Sequence, residues 1–132
     1  FDYIILDAPC SCSGIQRRHP EVPWTKTMQQ LEILVAIQSK LLDACWQILK
    51  NGGTLIYCTC SIFYNEGEGQ VVKFLSRRKN VKRESAPGLI YPTIGKDYFL
   101  KYNVENKLDN AELNYIGNDG FFYAMLEKQE SS

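Results

Sequence analysis

Apolar residues run almost unbroken from Phe1 to Leu6 and stop at Asp7-Ala8-Pro9. A stretch that is apolar at odd and even positions alike has no polar face. It predicts a strand covered on both sides, as in the interior of a parallel sheet. Pro9 has no N–H to give a ladder and ends the strand. Residues 10–24, rich in Ser, Gly, Pro and charge, read as a loop. The period then lengthens: Leu31, Leu34, Val35, Leu41, Leu42, Cys45, Ile48 and Leu49 fall on one helical stripe, with Gln38 as its single polar interruption. Thr25 or Thr27 can cap this helix. Asn51-Gly52-Gly53 stops it, because glycine reaches left-handed conformations without steric cost.

Thr54 to Thr59 reads as a second buried strand, and a strand–helix–strand order predicts a right-handed crossover with parallel strands. Asn65, with Glu68 three residues on, matches a capping box for a second helix. Val71, Val72, Phe74 and Leu75 form its inner face, and Glu66, Glu68, Arg77, Arg78 and Lys79 suit its dipole. Between 85 and 117, Pro87, Gly88, Pro92 and Gly95 break every period, and a long excursion is expected there. Its aromatics (Tyr91, Tyr98, Phe99, Tyr102, Tyr115) argue that it packs onto something. Gly117-Asn118-Asp119-Gly120 is a turn before a last strand, Phe121 to Leu126. The fold class that follows is α/β. Because the opening strand calls for neighbours on both sides, the chain reads as a piece that starts in mid-fold.

Composition narrows the class without naming a function. The 132 residues are about one small domain, with 45% apolar and 23% charged residues, as in ordinary globular proteins. Fifteen basic residues balance fifteen acidic ones, so any surface for nucleic acid must be local. No apolar run approaches the roughly eighteen residues of a membrane span, and residues 1–6 do not read as a signal peptide. Five cysteines, an odd number, fit reduced thiols in a cytoplasmic protein better than a disulfide framework.

The chemistry sits at the strand ends. In open α/β sheets, sites form beyond the carboxyl ends of parallel strands. That rule brings Asp7-Ala8-Pro9-Cys10 together with Cys58-Thr59-Cys60-Ser61. One carboxylate and two to four thiols then converge, and two thiols with one acid meet the needs of cytosine methylation at carbon 5, which is too weakly nucleophilic on its own. A thiolate adding at carbon 6 makes an enamine, an acid beside ring nitrogen 3 stabilises it, and a second thiol assists loss of the carbon-5 proton.

Asp7-Ala8-Pro9-Cys10-Ser11 with Gly14, and Thr59-Cys60-Ser61 with Asn65-Glu66, closely resemble the Nol/Nop/Sun family of RNA 5-methylcytosine methyltransferases. Gly14-Ile15-Gln16-Arg17-Arg18-His19-Pro20 and Asp119-Gly120-Phe121-Phe122-Tyr123-Ala124 look most like its bacterial Sun/RsmB branch, which acts on small-subunit (16S) ribosomal RNA. The resemblance covers residues 1–84 and 118–128. It implies the C-terminal half of a Rossmann-like S-adenosylmethionine-dependent methyltransferase domain, with RNA as partner. It also implies Cys60 as the nucleophile, Cys10 as the thiol assisting later steps, and Asp7 beside the methyl donor and target base. The family's Gly-rich donor loop and earlier acidic residue have no counterpart here, because Gly67-x-Gly69 opens a helix rather than following a strand. The donor-binding N-terminal half of the domain is therefore missing, and the fragment is expected to be inactive alone.

Rival readings attach to the same residues. Cys10-x-Cys12 and Cys58-x-Cys60 offer four thiols to zinc, but structural sites generally place two to four residues between paired ligands, so no metal is expected. Cys12, Cys45 and Cys58 read instead as small buried hydrophobes. In a DNA cytosine-5 methyltransferase, Cys10 would be the nucleophile, and the Thr-Cys-Ser motif argues for RNA instead. Arg17, Arg18 and His19 leave the site in a loop and are candidate phosphate contacts. Arg77, Arg78, Lys79, Lys82 and Arg83 read as a solvated helix end, and Trp24 and Trp46 as packing residues.

Overall fold

The computed structural model describes residues 1–15, 27–92 and 119–130. Strand β1 (Tyr3–Asp7) pairs in parallel with β2 (Thr54–Thr59) through helix α1 (Met28–Ile48). Helix α2 (Glu68–Ser76) then leads to β3 (Val81–Ile90), and β4 (Phe121–Lys128) inserts antiparallel between β2 and β3, giving the order β1-β2-β4-β3. The expected α/β class and the parallel crossover are both present.

Thr27 caps α1 in a full capping box: its hydroxyl accepts from the Gln30 N–H while the Gln30 side chain accepts from the Thr27 N–H. Gly52, at φ +78°, turns the chain after the helix. At the helix end, Lys128 Nζ donates to the orphan carbonyls of Trp46 and Leu49, both at 2.7 Å, as suits a cation at a helix C-terminus.

The stripe read from α1 closes over one face of the sheet. Leu42, Trp46 and Leu49 pack against Leu55, Tyr57, Phe122, Ala124 and Leu126, joined by Val71 and Phe74 of α2. Trp46 meets Phe74 edge-on, centroids 5.1 Å apart. Full burial of such side chains contributes roughly 1.5–3 kcal/mol each. The opposite sheet face is open: Tyr3 and Ile5 of β1 are 78% and 71% exposed. The apolar run of β1 was expected to be covered on both faces, and among the described residues only one face is.

Two local expectations fail for identifiable reasons. Asn65 does not cap α2. It lies within a 3₁₀ turn, Tyr64–Glu66, and Gly67 occupies the cap position without a side-chain bond. Residues 85–90, expected within an excursion, complete β3. That strand lies at the sheet edge among the described residues, where Pro87 is tolerated, and a register shift between Glu84 and Gly88 (φ +69°) absorbs the irregular pair. Lys82 and Arg83 therefore stand on a strand, where Arg83 pairs with Glu68 and Lys82 with Glu84. Arg77 and Arg78 share Asp43 and lie over the Phe74 ring. Arg77, Arg78, Lys82 and Arg83 of this basic cluster are thus paired within the fold. No helix among the described residues is long and apolar enough to cross a membrane.

Candidate active site

Both segments singled out in the sequence meet at the carboxyl ends of β1 and β2. Parallel pairing sets Asp7 beside Cys58, and the chain beyond each strand is carried to the same end. There Cys10 Sγ and Cys60 Sγ stand 3.3 Å apart. Cys10 is buried, 7% exposed, whereas Cys60 is half-buried, so Cys60 is the more accessible sulfur. The Cys60 thiol donating toward Cys10 lowers the Cys10 pKa to about 7, against the opposing effect of burial. By the same hydrogen bond, and then by burial, Cys60 is pushed well above the ordinary thiol range. The first thiolate of the pair therefore forms on Cys10 while Cys60 keeps its proton.

The loops carrying the thiols are clamped from beneath by a buried carboxylate. Glu66 is 1% exposed. Its Oε1 accepts from the Ser11 N–H at 2.8 Å and Gln38 Nε2 at 3.1 Å. Its Oε2 accepts from the Ser11 hydroxyl at 2.6 Å and the Ser61 hydroxyl at 2.5 Å. Ser11 follows Cys10 and Ser61 follows Cys60, so one side chain fixes the spacing of both sulfurs. Gln38 Nε2 also donates to the Pro9 carbonyl at 2.9 Å, and the buried Tyr57 hydroxyl donates to the Glu66 carbonyl at 2.7 Å. Ser13 Oγ adds a bond to Ser61 Oγ at 3.1 Å and accepts from the Ile62 N–H at 3.0 Å. Gly14 closes the layer: its N–H donates to the Cys60 carbonyl at 2.9 Å and its carbonyl accepts from Gly120 at 2.7 Å. No side chain fits at Gly14, where an added Cβ would overlap the Gly120 carbonyl oxygen.

Glu66 and Gln38 are the residues that sequence reasoning misplaced. Glu66 was read as a helix-dipole residue that also stands in the motif shared with the Nol/Nop/Sun family, and Gln38 as a break in an apolar stripe. The available signal was Gln38 itself: a long amide on a buried stripe needs partners, and here it finds them at the thiol loops.

The other site candidates divide. Asp7 is exposed at the end of β1, with Oδ1 4.0 Å from Cys58 Sγ. Cys58 directs its thiol to the Leu6 carbonyl at 3.6 Å, away from the four-thiol zinc set considered above; burial and then Asp7 raise its pKa. Cys12 is half-buried rather than buried, and its sulfur lies with those of Cys10 and Cys60 in one group, all within 4.8 Å of one another. Arg17, Arg18, His19 and Trp24 lie outside the described residues. Gly67 and Gly69 form no cradle for a donor, because Cβ positions there run into the Phe122 and Tyr64 rings.

Comparison with solved structures defines the class first. The chain is 30% identical to NSun6 from Pyrococcus horikoshii, determined with SFG, an analogue of S-adenosylmethionine, and superposes with a TM-score of 0.63 over 97% of this chain and 30% of that one. A methyltransferase homologue from the same organism matches at 26% identity and a TM-score of 0.62, covering 97% and 39%. The fold is that of an α/β S-adenosylmethionine-dependent methyltransferase, of which this chain forms part. The particular family follows from residues 1–127, which match the 16S rRNA methyltransferase RsmB/F model, and the chain belongs to that family. It is 41% identical to ribosomal RNA small subunit methyltransferase B of Photorhabdus laumondii over 98% of this chain and 27% of that protein. The Pectobacterium atrosepticum protein of the same name matches at 41%, over 97% and 26%. The chain thus spans about a quarter of the length of these relatives.

Proposed function

We propose that the protein containing this chain methylates carbon 5 of a cytosine in RNA, with small-subunit ribosomal RNA as substrate and S-adenosylmethionine as methyl donor. The observation that carries this reading is the pair of sulfurs 3.3 Å apart, one buried and one accessible. Cys60, the accessible sulfur, attacks carbon 6 of a cytosine turned out of its stack. The buried Cys10 thiolate takes the Cys60 proton as the new C–S bond forms. S-adenosylmethionine supplies the methyl group when bound. Asp7, at the end of β1, faces the donor and the base edge, and the remaining donor contacts come from the larger part of the protein. Cys10, once it has passed that first proton to solvent, or a water it holds, then removes the carbon-5 proton, and Cys60 leaves as a thiolate. Arg17, Arg18 and His19 contact RNA phosphates.

RNA carrying 5-fluorocytosine at the target tests the assignment, because fluorine cannot leave as a cation and the adduct is trapped before elimination. Mass spectrometry of the trapped peptide is expected to place the crosslink on Cys60. The lowered pKa of Cys10 favours the rival, DNA-type arrangement, in which that thiol is the nucleophile. A crosslink on Cys10 would transfer the nucleophile to that residue.

The pH dependence has a definite sign. Below pH about 7 the pair carries both protons and no base is present to activate Cys60; above it Cys10 is ionised. The rate of adduct formation is expected to rise as pH climbs through about 7 and then level off. A rate that falls over that interval in a stopped-flow pH series would contradict the role given to Cys10.

A further inference from the structure

The third sulfur forms and breaks no bond in this chemistry, although its hydrogen bond also raises the Cys60 pKa. Cys12 stands at φ +60°, the one non-glycine residue at positive φ among those described. Left-handed backbone is unfavourable for a residue with a Cβ by roughly 1–2 kcal/mol. The turn brings Cys12 Sγ to within 3.6 Å of the Cys10 carbonyl, and it groups with the Cys10 and Cys60 sulfurs inside 4.8 Å. The serine–Glu66 clamp described above holds the other two members of the triangle in place.

We propose that Cys10, Cys12 and Cys60 form a binding site for a single thiophilic divalent cation, Zn²⁺ or Cd²⁺ in chemical class, whose occupancy blocks the nucleophile. A Zn–S bond is about 2.3 Å, so tetrahedral thiolates lie about 3.8 Å apart. The sulfurs here span separations from 3.3 Å to at most 4.8 Å, and adjustments of about an ångström complete three corners of that tetrahedron. The fourth corner, beside the accessible Cys60, is left for water. Binding replaces thiol protons with the cation, releases those protons to solvent, and transfers no electron. The spacing argument against zinc concerned a closed four-thiol structural site. Cys58 is indeed turned aside, and the site that remains is open and sits on the reacting sulfur. Its inhibitory consequence rests on the role proposed for Cys60; the binding itself rests on geometry alone.

The test titrates the full-length, reduced protein with cadmium chloride alone, reading the ultraviolet thiolate-to-cadmium absorption band and the heat of binding. One cadmium per chain is expected. Loss of an outer-shell partner already weakens metal sites about 10–100-fold, so removing a ligand in Cys12→Ser should weaken cadmium binding at least ~10-fold. Cys58→Ser should leave it unchanged. Cys12→Gly, which removes the thiol and relieves the left-handed strain, should lose binding equally while staying folded. Absence of binding in the parent protein, parent-like affinity in Cys12→Ser, or an equal loss in Cys58→Ser would overturn the site. Methyl transfer is followed in parallel without metal, where Cys12→Ser should behave as the parent. Normal cadmium binding with no methyl transfer in any protein would sink the functional reading and leave the metal site standing; normal methyl transfer with no cadmium binding would do the reverse.

Discussion

Cys60→Ala is expected to form no covalent adduct with a cytosine-containing RNA and no methylated product, whereas Cys10→Ala should accumulate adduct and release little product. The two sulfurs are 3.3 Å apart and chemically alike, so contact alone does not assign their roles; the order of events does. Removing Cys60 removes the atom that attacks carbon 6, and carbon 5 never gains the electron density needed to accept a methyl group. Removing a nucleophile of this kind costs a factor on the order of 10⁴ to 10⁶ in rate. Removing Cys10 slows the attack by taking away the proton acceptor, but its larger effect comes later. It takes away the hydrogen bond that chiefly raises the Cys60 pKa, and the half-buried thiol that is left still adds to the ring, more slowly. The group that assists departure of the carbon-5 proton is gone, and the intermediate stalls. Denaturing gel electrophoresis of protein mixed with labelled RNA reads both outcomes. Adduct formed by Cys60→Ala would reverse the two roles.

Glu66→Ala is expected to be the most destabilising single change at the site, lowering folding stability by about 3–5 kcal/mol, the range for removing one partner from a buried charged network. Four donors converge on this carboxylate, from the Ser11 N–H, the Ser11 and Ser61 hydroxyls, and Gln38 Nε2. Serines 11, 61 and 13 and Gln38 are all buried, so water does not replace the lost acceptor without opening the layer. Glu66→Gln keeps the shape and one acceptor oxygen but sets an NH₂ group against donors. A loss of about 1–3 kcal/mol is expected for it, the scale of a buried group left unsatisfied. Urea denaturation of the full-length protein measures both. A Glu66→Ala protein within ~1 kcal/mol of the parent would mean that the clamp contributes little. The same variant should slow adduct formation even where the protein stays folded, because the spacing of Cys10 and Cys60 is set through Ser11 and Ser61.

The family relationship gives these predictions their setting without replacing their physical basis. The relatives are about four times the length of this chain, and the function proposed above draws its remaining donor and RNA contacts from that larger part. What the chain itself contributes is a pair of sulfurs at adjacent strand ends and the buried frame that holds them.

Much of this was legible in the sequence because it follows from local periodicity and backbone chemistry. The apolar runs of β1 and β2, the stripe of α1, the Thr27 cap and the glycine stop each obey a rule that spans a few residues, and the parallel crossover follows from their order. The convergence of Asp7, Cys10 and Cys60 at one end of the sheet followed from the same topology. Other features depended on partners distant in sequence. Ser11 and Glu66 are 55 residues apart and Gln38 and Glu66 are 28 apart; no local pattern distinguishes a carboxylate that will be buried from one at a solvated helix start. The edge position of β3, which lets Pro87 and Gly88 sit inside a strand, is a property of the sheet and not of those residues. The direction of each thiol was likewise decided only in three dimensions. Cys10, Cys12, Cys58 and Cys60 are two alike pairs on paper. Strand pairing turns Cys58 toward Leu6 and Asp7, and one left-handed residue brings Cys12 in beside the reactive pair. The sequence alone determined which chemistry collects at the strand ends; the tertiary structure decided which sulfurs meet, because backbone hydrogen bonding and burial, acting between distant segments, orient them.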